Sequence, residues 1–308
     1  MAHEIFGERF LDRKVAWHNV GLQNFKEELC AVDSLKKIDG DFNVTLEPLY
    51  YKIGRKRFSS GFYQILREPT KDDRQFVSLG EPVKKDYRPF TPRQLCGVWD
   101  VALNDATVET MGVLRRGAMF FITTKLPAIG VLGDEVERYL GVTSPLDGVT
   151  ALSAEEWPLR VVCANTLRAA QAGAFASYRV IHTQDALNQI GAWIKEAYEG
   201  AKQNADKLKT AFEKLAKTPV DDSTAKKSFE TVYPLLPPPR RNAPDDVMRQ
   251  RERNHAAENQ RIHRFRSEAF ALFDGKGRGM TSRAADHTAW GWINAVTELE
   301  DFRKSNFV

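Results

Sequence analysis

Two pairs of aromatic and β-branched runs constrain this chain most, because each pair is folded back on itself at an arginine-rich break. Val44 to Lys52 and Phe58 to Leu66 flank Gly54-Arg55-Lys56-Arg57, and Val108 to Leu114 and Met119 to Leu126 flank Arg115-Arg116-Gly117-Ala118. Runs of this length bounded by turn residues read as β-hairpins, so they predict antiparallel sheet. Pro48 has no amide hydrogen to give a ladder and moves its strand towards an edge. A third short strand is predicted over Phe76 to Leu79, and Glu135 to Val142 fits either a strand or a short helix.

Helix signals surround these hairpins. Leu22, Phe25, Leu29 and Val32 recur at helical spacing before Gly40. Thr91-Pro92-Arg93-Gln94 opens a helix: the threonine can cap, proline suits the first turn, and the glutamine stands where it can bond back. That helix would bury Leu95, Val98, Trp99 and Ala102. Leu187, Ile190, Ile194, Ala197, Ala201, Leu208, Phe212 and Leu215 form an apolar stripe, predicting one amphipathic helix of about eight turns. Pro219 ends it, and Pro234, Pro237, Pro238, Pro239 and Pro244 mark a linker. A charged helix from Asp245 to Phe273 and a last one from Thr288 to Phe302 follow.

The stretch Arg160 to Thr183 mixes apolar and specific polar residues most densely, and predicts a short buried strand, a small-residue helix and a second strand. The fold class expected is α+β: an antiparallel sheet of hairpins packed on helices, with a helical C-terminal portion. The expected organisation is a core domain over 1–218, a proline-rich linker over 219–244, and a helical portion over 245–308 packing back on the core.

With 308 residues the chain can bury a sizeable core. Its net charge of +4 is too small to indicate a polyanionic partner by itself. Cys30, Cys96 and Cys163 are isolated singletons, which fits a reducing cytoplasm and offers no disulfide framework. The N-terminal mixture of Glu4, Glu8 and Arg9 is not a signal-peptide pattern, and no apolar run is long enough for a membrane span.

Several motifs keep a recognisable order. They are Trp17-His18-Asn19; Leu79-Gly80 with Tyr87; Glu109-Thr110-Met111-Gly112-Val113-Leu114 with Gly117; Arg160-Val161-Val162-Cys163-Ala164-Asn165-Thr166-Leu167; Ile181-His182-Thr183; and Thr288-Ala289-Trp290 with Asn294-Ala295-Val296-Thr297-Glu298. On these the chain resembles a family of phage/plasmid-like proteins carrying a domain of unknown function. The resemblance implies a mobile-element origin and a bacterial host cytoplasm, and carries over neither a reaction nor catalytic residues. The hairpin–helix–hairpin order is also loosely similar to the core of phage single-strand annealing proteins.

Cations crowd the hairpin breaks. Lys52, Arg55, Lys56 and Arg57 surround one, Arg115 and Arg116 sit in the other, and Lys84, Lys85 and Arg88 precede the Thr91 helix. Tyr50, Tyr51, Phe58, Phe62, Tyr63 and Tyr87 lie nearby. Phosphates require cations along one face, and single strands also require aromatic platforms for the bases. The bland alternative is a solvated hairpin tip whose aromatics serve the core. The Arg-rich helix (Arg249, Arg251, Arg253, Arg261, Arg264, Arg266) reads rather as a solvated face neutralised by Glu252, Glu258 and Glu268.

Cys163, Asn165 and His182 offer the residue types of a thiol nucleophile, an orienting amide and a base. A thiol behind Val161-Val162 reads as buried and inert, however. His255 and His263 can share a helix face, but no further ligand spacing completes a metal site. The expectation is thus a self-associating, non-enzymatic nucleic-acid-binding protein, single-stranded DNA favoured, acting in recombination or replication without cofactor, metal or membrane. The alternatives are an interaction protein acting on host or phage proteins, and a Cys/His-dependent enzyme.

Overall fold

A six-stranded antiparallel sheet carries a buried apolar cluster on each of its faces. The computed structural model describes residues 4–14, 20–104, 106–157, 175–240, 244–277 and 283–299. The strands are β1 (Ile5–Asp12), β2 (Val44–Ile53), β3 (Lys56–Arg67), β4 (Val77–Ser78), β5 (Val108–Leu114), β6 (Met119–Val131), β7 (Asp134–Pro145), β8 (Leu152–Trp157) and β9 (Phe175–Val180). The helices are α1 (Ala31–Lys37), α2 (Pro92–Ala102), α3 (Gln184–Gln203), α4 (Ala205–Ala216), α5 (Asp222–Val232), α6 (Asp245–Ala271) and α7 (Ala289–Glu298). The large sheet runs β1-β5-β6-β7-β8-β9, and a second, three-stranded sheet runs β2-β3-β4. The architecture is the α+β class expected.

Strand alternation divides the large sheet into two environments. Leu11, Met111, Val113, Ile122, Leu140, Val142 and Ala154 join a core with Leu35 of α1, Leu95 and Trp99 of α2, and Ile190 and Ile194 of α3. Phe10, Leu114, Met119, Phe121, Tyr139 and Trp157 form a second cluster. Every residue of β5 is buried, as a central strand covered on both sides should be. Gly141 is required here, because a Cβ at that position would lie 2.0 Å from the Trp157 ring.

Three buried arginines in this body each have carboxylate and carbonyl partners. Arg138 donates to Glu156 Oε1 at 2.6 Å and also to the Pro127 and Ala201 carbonyls, and both members of the ion pair are about 1% exposed. Arg67, fully buried, donates to the Arg116 and Glu68 carbonyls and to Asp73, and Arg9 reaches Asp72 and the Asp39 carbonyl. Both guanidinium groups lie over the Phe6 ring.

The chain forms two compact units, one of residues 1–128 and 137–205, the other of 129–136 and 206–308. The second has its own core, in which Phe212 packs on Trp290 and Phe229 stacks on Trp292. Thr288 caps α7 by accepting from Gly291 N, and Pro219 bridges to Thr288. The proline-rich part from Leu236 lies along α6, held by Asn259 and His255.

Several sequence expectations change in detail. Glu135 to Val142 is strand. The helical spacing from Leu22 yields helix only over Ala31–Lys37, because Leu22 and Phe25 give their amide hydrogens to the Phe10 and Asp12 carbonyls of β1 instead. The long apolar stripe is divided at Asn204 into α3 and α4. Between the prolines, Asp221 accepts from Thr224 N and starts α5 inside the segment read as linker. The predicted strand and small-residue helix after Arg160 lie outside the described residues, while the second strand is β9.

Candidate nucleic-acid interface

The β2–β3 hairpin closes through a two-residue turn, Gly54-Arg55, between the paired residues Ile53 and Lys56. Gly54 takes φ +61°, as the first central residue of a type II′ turn does, while Arg55 stays outside the left-handed region. Lys56 and Arg57 therefore belong to β3, and their side chains leave opposite faces of the ribbon. Directly opposed residues share a face. Tyr51, Ile53, Lys56 and Phe58 project from one side, and Tyr50, Lys52, Arg57 and Ser59 from the other.

Beyond its base the ribbon has no further strand beside it among the described residues, since β4 pairs only with Leu66 and Arg67. Its aromatics consequently stand in solvent: Tyr50, Tyr51, Phe58 and Phe62 are 39–50% exposed and Ile53 is 64% exposed. Tyr51 and Phe58 stack across the strands at 5.6 Å, and the Arg57 guanidinium carbon sits 3.9 Å from the Tyr50 ring centroid. Lys52, Arg55, Lys56 and Arg57 are exposed and have no carboxylate partner among the described residues. Lys52 directly faces Arg57, a like-charge pairing that costs stability unless an anion bridges it.

Towards its base the ribbon is anchored. Ile65 is fully buried, and Tyr63 exchanges both backbone hydrogen bonds with Val83. That bridge places exposed Lys84 and Lys85 beside the middle of β3, with Asp86 in the same turn. Arg88 closes the turn by donating to the Lys85 and Tyr87 carbonyls. Seven of the nine predicted site residues thus gather on the ribbon and its flank.

Arg115 and Arg116 do not join them. Their turn packs against Arg67 at the base of the ribbon, and the ten residues of β2 set that end about 30 Å from the tip. Arg115 is paired with Glu4 at 2.7 Å and Arg116 with Asp73 at 2.6 Å.

A second polar cluster lies beneath the Lys84–Arg88 turn. His182, 5% exposed, bonds Arg88 O through Nδ1 at 3.2 Å and stacks on Tyr87 at 5.0 Å, while Arg88 N donates to His182 O. Among the described residues, His182 Nε2 and Tyr87 Oη have no hydrogen-bond partner. Burial lowers the His182 pKa, against the Arg88 carbonyl bond and the Asp147 charge. Gly80 belongs to the same cluster, since Glu81 N donates to Asp147 O and a Cβ on Gly80 would strike that carbonyl. The motif residues Leu79-Gly80, Tyr87 and His182, far apart in sequence, are thereby drawn together. Cys163 and Asn165 lie outside the described residues. His255 bonds Leu236 O, and among the described residues no group of three or more His, Cys, Asp or Glu could hold a metal ion.

Sequence reading missed a groove beside Arg88, between α2 and α3, with a volume of about 740 Å³. Its lining comes from positions 94, 97, 98, 101 and 102 of α2 and 184, 188, 191, 192 and 195 of α3. The three-and-four spacing on each helix was the available signal.

Fold and ribbon together define an α+β protein that presents an exposed, cationic and aromatic β-hairpin. The chain belongs to the family described as a domain of unknown function (DUF932), which matches residues 81–304. No curated protein matches the chain, and no solved structure does. Among the described residues no helix is long and apolar enough to cross a membrane.

Proposed function

We propose that this protein binds single-stranded nucleic acid, DNA in preference, along the β2–β3 ribbon and the adjoining Lys84–Arg88 turn. Its setting is the recombination or replication of a phage or plasmid, where holding single strands promotes their annealing, and self-association lines several ribbons along one strand. The observation that carries this reading is the ribbon's distal half: solvated aromatics stand beside four cations that no carboxylate among the described residues neutralises. Phosphates would take the cations while bases stack on Tyr51, Phe58 and Tyr50.

The test is a fluorescence-anisotropy titration with labelled single- and double-stranded oligonucleotides at several salt concentrations. Changing Arg55, Lys56 and Arg57 together to Ala should weaken single-strand binding and reduce the magnitude of the log–log salt slope by about 2. Equal binding by parent and variant removes the ribbon from the interface.

The apolar side of the ribbon favours a second reading, an interaction protein that engages host or phage proteins. Tyr51, Ile53 and Phe58 share that face. This reading expects no salt-dependent shift with any oligonucleotide, and capture of a protein partner that Ile53→Asp abolishes.

A further inference from the structure

The groove between α2 and α3 is continuous with the proposed strand-binding surface through Arg88, which lines the groove and closes the Lys84–Arg88 turn. Its volume of about 740 Å³ falls in the range of small-ligand sites. Arg88 and Lys195 are its charged lining residues, and among the described residues no carboxylate lines it. Val98 and Val101 supply an apolar wall, and Val101 is 85% exposed, unusually bare for a valine. Opposite, Gly191 and Ala192 keep the α3 side low, so that something flat can lie over them. Val98 already packs against α3, since a Cβ on Gly191 would lie 3.3 Å from Val98 Cγ1, so this contact forms the floor of the groove, with the more exposed Val101 and Ala192 to either side.

The polar groups at the groove are those that read a base edge. Gln94 Oε1 accepts from Thr91 N, a group that can only donate, so the amide orientation is fixed and its NH2 is left for a ligand. Gln184 and Asn188 bond each other at 3.1 Å. Whichever way that pair is turned, one carbonyl and one NH2 remain available. Donors and an acceptor beside an apolar slot, with cations nearby and no acid, fit a planar heterocycle that carries a phosphate.

We propose that this groove holds an unstacked nucleotide of the bound strand, its base laid over the Val98–Gly191 contact beside Val101 and Ala192, its edge read by Gln94, Gln184 and Asn188, and its phosphates met by Arg88 and Lys195. The inference rests on the single-strand reading given above and adds base preference to it: the ribbon supplies sequence-blind affinity, and the groove discriminates.

The experiment compares the parent, the ribbon variant (R55A/K56A/R57A), a double amide variant (Q184A/N188A) and a groove-filling variant, Ala192→Trp, at an exposed position. Each is titrated with labelled homopolymers of dA, dC and dT, and with the four deoxynucleoside monophosphates by calorimetry. Circular dichroism and thermal melts establish that each variant is folded. The parent should prefer one base. Q184A/N188A and A192W should lower affinity for that homopolymer about tenfold and level the preference, with the salt slope unchanged. The ribbon variant should instead weaken all homopolymers together and flatten the slope. Groove variants that bind every homopolymer as the parent does overturn the groove and leave the ribbon standing. Monophosphate binding that A192W abolishes, in a protein that binds no strand, supports the groove and removes the ribbon. Binding of neither strands nor monophosphates overturns both.

Discussion

Arg57 lies over the ring of Tyr50, its guanidinium carbon 3.9 Å from the centroid, while Lys52 directly faces Arg57 from the neighbouring strand. On the other face Tyr51 and Phe58 stack in the open. An exposed cross-strand aromatic pair contributes no more than about 1 kcal/mol to folding, whereas a base stacked on an aromatic ring is worth ~1–3 kcal/mol of binding. Tyr51→Ala with Phe58→Ala should therefore lower single-strand affinity tenfold or more and barely move the thermal midpoint. Anisotropy and a melt on the same preparation separate the two effects; a large drop in midpoint would make the pair structural.

Arg138 and Glu156 pose the opposite case, an ion pair sealed inside the first unit. Burial raises the Glu156 pKa while Arg138 pulls it down. Arg138→Ala strands the carboxyl, whose Oε2 has no hydrogen bond among the described residues even now, and should cost about 3–5 kcal/mol in urea unfolding. Replacing both partners together, Arg138→Met with Glu156→Leu, should be clearly less damaging than Arg138→Ala. If the double variant is the less stable, the pair is not the origin of the effect.

These buried charges also explain which parts of the fold were legible in sequence. The Thr91–Gln94 capping box and both hairpins are local patterns, and they read correctly. Strands β1 and β8 did not, because Arg9, Glu155 and Glu156 look like surface residues until Asp72, Arg179 and Arg138 arrive from distant segments. Helix α5 was hidden among prolines, its start marked only by Asp221. The ribbon cations were readable because the turn gathers them locally. The Arg115 turn, lying at the far end, and the α2–α3 groove were not, since tertiary packing decides what joins them.

Gly141 offers a sharper packing test. An added Cβ would meet the Trp157 ring at 2.0 Å, between two strands that cannot part without breaking their ladder. Overpacking of this kind costs ~1–3 kcal/mol, and a fixed ring in a buried sheet sits towards the upper end. Gly130→Ala is the control, for its Cβ would meet nothing within 4 Å. Chemical denaturation should show Gly141→Ala markedly destabilised and Gly130→Ala near the parent. Similar losses in both would mean that the Trp157 contact is not what demands glycine.

His182 supplies the pH dependence. Burial depresses its pKa below the ordinary histidine value, despite the Arg88 carbonyl and the Asp147 charge. Between the ordinary value near 6.5 and the lower folded value, the unfolded chain binds a proton that the folded chain refuses. Stability must then rise with pH across that window, being complete above about 6.5 and lost as acid takes the imidazole through its folded pKa. The chain carries other histidines, so the parent alone cannot isolate the effect. His182→Asn keeps a donor for the Arg88 carbonyl but no ionisable ring. The parent should exceed this variant in stability at pH 7.5, and the gap should shrink steadily below about pH 6.5. Parallel stability–pH curves for the two proteins would show that His182 does not titrate in the folded state as its burial requires.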